Sequence, residues 1–148
     1  MIDATRRFVV NRWHQSMKHR KDLPIPTERE LEILNIFWER GTATVREVHD
    51  ELSPTKPSQY TTTLKLIQIM SEKGLLTRSE KDRFHVYRPV VRRDRVRQQL
   101  ASSLMERAFG GSLHKLVVGA LGAKKASKEE LSDLRQLIDD YEKGGSDD

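Results

Sequence analysis

A chain of 148 residues with no cysteine has no disulfide, thiolate metal site or thiol nucleophile, and its length suits one ordinary domain or two small ones. A third of the residues are charged and a little over a third apolar; no apolar run approaches a membrane span and the N-terminus lacks a signal-peptide core, so a soluble, cytoplasmic protein is expected. The net charge of +5 divides as +4 over residues 1–23, zero over 24–90 and +1 over 91–148, with eight Arg/Lys against three acids between Leu76 and Arg97. Two basic blocks on a neutral body suit a nucleic-acid partner, through phosphate contact and counterion release, and equally a basic surface with no target.

In chain order, residues 1–23 read as a basic N-terminal arm carrying Arg6, Arg7, Arg12, Lys18, Arg20 and Lys21. Three capping boxes then mark helix starts, each a Ser/Thr followed three residues later by Glu: Thr27 with Glu30, Thr44 with Glu47, and Ser127 with Glu130. The first predicts a helix of about thirteen residues, with Leu31, Leu34 and Trp38 on one face, widened by Ile33, Ile36 and Phe37 and stopped at Gly41. The second predicts a short helix through Val45, Val48 and Leu52, ended by the Pro54–Pro57 stretch. A third helix is expected from a cap at Ser58 to Gly74. Leu75–Ser79 and Phe84–Arg88 are strand-like and are separated by polar turn residues, which predicts a β-hairpin with Lys81 and Arg83 at its tip and Pro89 closing it.

Helical periodicity returns after Val91. One helix is expected from Arg92 to Phe109, with Val96, Leu100, Leu104 and Ala108 in a stripe, broken by Gly110-Gly111. A short apolar helix follows through Leu113, Leu116, Val117, Ala120 and Leu121, then a last one from Ser127 to about Lys143 with Leu131, Leu134, Leu137, Ile138 and Tyr141 on one side. Residues 144–148 read as a fraying, disordered tail. Three short helices cannot comfortably bury their apolar faces alone, so residues 91–143 are expected to dimerise, through Val96, Leu100, Leu104, Leu116, Leu131, Leu134 and Ile138. The fold class is therefore mainly α with a small β-hairpin: a winged helix-turn-helix domain over residues 24–90, followed by a three-helix dimerisation domain.

The third helix carries the functional argument. At 100° per residue Thr63, Leu66, Ile67 and Met70 fall together as a buried face, while Ser58, Thr61, Lys65, Gln68 and Glu72 lie opposite and Thr62 and Leu64 flank them. An ordinary solvent face would favour longer charged residues. Short hydroxyls, Gln and Lys are the types that enter a major groove: hydroxyls bond bases or phosphates, Gln pairs with adenine, and Lys reaches guanine or phosphate. Ser58, Gln59, Thr61, Thr62, Lys65 and Gln68 are the expected DNA-reading residues, with Arg78, Lys81 and Arg83 on phosphate from the wing.

The stretches TERELEILNIFWERGTATVREVHDEL, YTTTLKLIQIMSEKGLLTR and HVYRP resemble the BlaI/MecI penicillinase-repressor family of transcriptional regulators over roughly residues 24–143. The resemblance implies a homodimer that binds a palindromic operator and represses transcription, with a sensor protease or another inducer system as a further partner. Leu64 stands where the staphylococcal resistance repressors carry a polar residue, so their base preferences do not transfer. Those repressors are inactivated by cleavage at an Asn-Phe bond, which is absent from the corresponding Val117-Val118-Gly119-Ala120-Leu121 here. The copper-responsive relatives sense through a cysteine-rich tail, which a cysteine-free chain lacks.

Catalysis is not expected. The five histidines are scattered, without an H-x₃-H pair, a Gly-rich phosphate loop or a nucleophile elbow, and no metal or cofactor is called for. His49, beside Asp50 and Glu51, reads as a solvated helix end. A winged helix that binds protein rather than DNA stays open, because residues 24–90 carry no net charge.

Overall fold

The computed structural model describes residues 24–52, 58–79 and 85–145. In chain order these form α1 (Glu28–Arg40), β1 (Ala43–Thr44), α2 (Val45–Leu52), α3 (Tyr60–Glu72), β2 (Leu76–Ser79), β3 (Val86–Pro89), α4 (Arg93–Phe109), α5 (Leu113–Ala123) and α6 (Lys128–Gly145). They fall into two compact units, one over Pro24–Ala101 and one that includes residues 102–145, with the seam inside α4.

The first unit is built by its caps. The Thr27 hydroxyl accepts from the Glu30 N–H at 3.2 Å and the Glu30 carboxylate accepts from the Thr27 N–H at 2.9 Å, so the two satisfy each other's open groups and start α1. Thr44 and Glu47 repeat the arrangement at the start of α2. Ile33, Leu34 and Phe37 of α1, Val45, Val48 and Leu52 of α2, Ile67 and Met70 of α3, and Leu75, Leu76 and Tyr87 from the wing share one core. Gly74 ends α3 at φ 84°, a left-handed turn that a side chain would strain, and the Leu75 N–H reaches back to the Met70 carbonyl at 2.9 Å. The chain thereby leaves α3 directly into the wing.

The wing has three strands rather than the expected hairpin of two. The order is β1-β3-β2, all antiparallel, with Ala43 opposite Tyr87 on one side and Arg78 opposite Tyr87 on the other. β1 is two residues long and exists because β3 offers it a partner; no alternating pattern announces it. Pro89 is the last residue of β3, where it pairs with Leu76 and closes the hairpin as expected, and β2 starts at Leu76, one residue later than the expected Leu75. The expected turn at 80–84, with Lys81 and Arg83, and the expected basic arm at 1–23 lie outside the described residues.

Ser58 does not cap α3. The cap position is Gln59, which makes no side-chain bond to the helix, and the Ser58 Oγ is buried without a partner among the described residues. The opening N–H groups of Thr62 and Thr63 go instead to the Gln59 carbonyl.

α4 begins against α1, where the Trp38 indole N–H donates to the Val91 carbonyl at 3.1 Å and Arg93 lies over the Trp38 ring while pairing with Glu39 at 2.9 Å. In the second unit Gly110 and Gly111, at φ 58° and 78°, turn the chain from α4 into α5, and the Ser112 hydroxyl caps α5 by accepting from the Lys115 N–H. Ser127 caps α6 through the Glu130 N–H at 3.0 Å. α6 runs on through Gly145, two residues past the expected helix end at Lys143.

Candidate nucleic-acid interface

The outer face of α3 is assembled by what lies beneath it. Thr63, Ile67 and Met70 are buried, whereas Thr61, Thr62, Lys65, Gln68 and Glu72 are exposed, with Gln59 exposed at the helix start. The threonine run is thus divided. Thr61 and Thr62 face outward; Thr63 is 1% exposed, and its hydroxyl lies 2.9 Å from the His49 Nδ1 of α2. That bond gives the buried hydroxyl a partner it would otherwise cost stability to lack. The first turn of α3 carries no acid, so the positive end of its dipole is not offset by a local negative charge.

Of the sequence-predicted readers, Gln59, Thr61, Thr62, Lys65 and Gln68 share this exposed surface, while Ser58 is half-buried and precedes the helix. Arg78 is exposed on β2. Lys65 and Arg78 have no carboxylate partner among the described residues. Several other cations of the unit do: Arg29 with Glu32, Arg40 with Glu47 and Glu51, Lys73 with Glu30, and Arg93 with Glu39. Among the described residues no group of His, Asp and Glu is arranged to hold a metal ion.

Two anchors fix the pose of α3. At its C-terminal end Lys73 Nζ meets both Glu30 oxygens, at 2.9 and 3.2 Å. Burial pushes the Glu30 pKa up, but the Thr27 N–H and the Lys73 ammonium outweigh it, and the carboxyl stays below its usual value. At its N-terminal end, the Tyr60 ring meets His49 edge-on at 5.6 Å and 82°, and the Arg46 guanidinium lies 4.4 Å from the ring centroid. His49 is therefore packed between α2 and α3, not a solvated helix end. Arg46 and Tyr60 are not among the sequence-predicted site residues; Arg46 and His49 sit three apart on α2, as Tyr60 and Thr63 do on α3, and matching i,i+3 pairs on consecutive helices are the signal that points to them.

The expected dimerisation residues are divided by the seam in α4. Val96 is 3% exposed and belongs to the first unit, so it offers no surface to a partner; Leu100 is half-buried there. Leu104, Leu116, Leu131, Leu134 and Ile138 belong to the second unit, half-buried or exposed. Neither α5 nor α6 has a buried residue. Leu113, Val117, Val118, Leu137 and Tyr141 add to the open apolar surface.

Three helices, the third with its outer face exposed, and a three-stranded antiparallel sheet whose β2 and β3 follow them make a winged helix-turn-helix domain. The family model described as Penicillinase repressor matches residues 26–140, and the chain belongs to that family of DNA-binding transcriptional repressors. It is 26% identical over 121 residues to the Penicillinase repressor of Bacillus licheniformis, covering 82% of this chain and 94% of that one. It is 29% identical over 117 residues to the Transcriptional regulator BlaI of Mycobacterium tuberculosis, covering 78% and 83%. The solution structure of the DNA binding domain of the repressor BlaI aligns with a TM-score of 0.45 at 26% identity, covering 49% of this chain and 89% of that one. These relatives are regulators, not enzymes, and so is this chain. No described helix is long and apolar enough to cross a membrane.

Proposed function

We propose that the chain is a cytoplasmic, sequence-specific repressor that acts as a homodimer on a palindromic operator. The observation that carries this reading is the outer face of α3, where Thr61, Thr62, Lys65 and Gln68 stand exposed together on a helix anchored at both ends. Each subunit inserts α3 into a major groove, where Thr and Gln meet base edges and Lys65 meets guanine or phosphate. Arg78, Lys81 and Arg83 of the wing, with the basic arm, hold the flanking backbone.

The helical unit supplies the second copy. Leu137 at 62%, Ile138 at 57% and Val118 at 57% exposure leave an apolar surface that a monomer would present to water, and a two-fold partner covers it. Two-fold symmetry in the protein then requires two-fold symmetry in the operator. A sensor protease or other inducer that opens this unit would release the DNA, since a lone subunit keeps half the contacts.

The test is fluorescence anisotropy of the full chain on the DNA upstream of its own gene and on an unrelated duplex, at two salt concentrations. Tight binding to the first only, falling steeply with salt, supports the reading. Equal binding to both, or binding to neither, favours a winged helix that contacts protein.

A further inference from the structure

Arg46 is an exposed cation whose partner is a ring. It occupies the second position of α2, its guanidinium 4.4 Å from the centroid of Tyr60, the first residue of α3. Other arginines of the same unit point into carboxylates: Arg40, six residues earlier, is bonded to both Glu47 and Glu51, and Arg93, which also lies over a ring, is tied to Glu39. Arg46 has no carboxylate partner among the described residues. Stacking on an aromatic face leaves the in-plane N–H edge of a guanidinium open and the positive charge uncancelled, whereas a carboxylate would occupy that edge.

The ring itself is packed from the α2 side. His49 abuts it edge-on, and the same His49 reaches Thr63 across the two helices. Arg46 is therefore a planar donor fork held on a fixed support, beside the exposed Thr61 and Thr62. A pre-oriented fork loses less side-chain freedom on meeting an anion than a free one. Given that α3 lies in a major groove, which is the reading above, the anion bordering that groove is a backbone phosphate. We propose that Arg46, seated on Tyr60, is a phosphate clamp that grips the operator backbone beside the start of α3 and sets how the helix enters the groove.

The clamp contributes charge without reading bases, so its signature is a salt slope and not discrimination. The experiment measures Kd of the full chain on its best-bound duplex and on an unrelated one, over a range of KCl, for wild type, Arg46→Gln, Arg46→Lys, Tyr60→Leu and Lys65→Ala. Arg46→Gln is expected to weaken both duplexes by a similar factor, about tenfold, and to lower the slope of log K against log salt by about 0.9 per phosphate contact, roughly 1.8 for a dimer. Arg46→Lys is expected to keep the slope while losing affinity, because the charge stays and the fork does not. Tyr60→Leu should likewise weaken binding at a slope near that of wild type.

A wild-type slope in Arg46→Gln, with Lys65→Ala still impaired, overturns the clamp and leaves the groove reading standing. Loss confined to the best-bound duplex in Arg46→Gln also overturns it, in favour of base readout. Absence of duplex binding by wild type overturns both.

Discussion

Replacing Lys73 by methionine isolates the pair that ties the end of α3 to the start of α1. Glu30 is 2% exposed and buried with the core, and Lys73→Met leaves its carboxylate with Thr27 as its remaining partner among the described residues. Removing one partner of a fully buried ion pair costs about 3–5 kcal/mol. Here the Lys73 side chain is 35% exposed, so water screens the pair, and a destabilisation of about 2 kcal/mol at neutral pH is expected.

The pH dependence follows from the direction of the Glu30 shift. Burial raises its pKa, the Thr27 and Lys73 interactions lower it by more, and the native value lies below the ordinary 4.5. Such a carboxylate contributes stability that is fully present above the unfolded pKa and is lost as pH falls through the native one. Without Lys73 the upward push of burial is less opposed, so the native pKa rises relative to wild type. The gap between variant and wild type therefore narrows on acidification, because a protonated Glu30 has no charge to strand. Urea denaturation of both proteins, at matched concentration, should give a gap of about 2 kcal/mol near pH 7 and a smaller one near pH 3.5. A gap that stays constant or widens toward acid would refute the reasoning.

Thr61→Ala and Lys65→Ala should each reduce discrimination between operator and unrelated duplex, by about 1–3 kcal/mol for a full base contact, in anisotropy competition; unchanged discrimination in both would remove α3 from the groove. Ile138→Glu should shift the full chain toward monomer in sedimentation and lower operator affinity, while the melting of the Pro24–Ala101 unit is preserved. Phe37→Ala, at a fully buried position of the core, should cost about 3–5 kcal/mol in denaturant titrations.

What the sequence made legible were features whose signals are local. The Thr27 and Thr44 caps formed as expected because each needs only a residue three positions away, and Gly41 and Gly74 ended helices through their own backbone freedom. The inner face of α3 followed from angular steps alone, since one face of a helix must meet the core. Pairings across the chain were not legible. β1 is defined by β3, more than forty residues later, and Glu30 reads from sequence only as the capping-box partner of Thr27, because its cation, Lys73, is 43 residues away. Ser58 had the chemistry of a cap, but the backbone entered α3 one residue later, at Gln59. The stripe on α4 read as one continuous face; packing of its first half against the winged domain buries Val96 and leaves Leu104 open.

The central claim is that α3 reads sequence in the groove of a two-fold operator. The most direct measurement is to incubate the full chain with a pool of randomised duplexes at physiological salt and sequence the bound fraction. The account predicts an enriched inverted repeat, with half-sites separated by about one helical turn or a multiple of it. A bound pool with no more sequence preference than the input would contradict it.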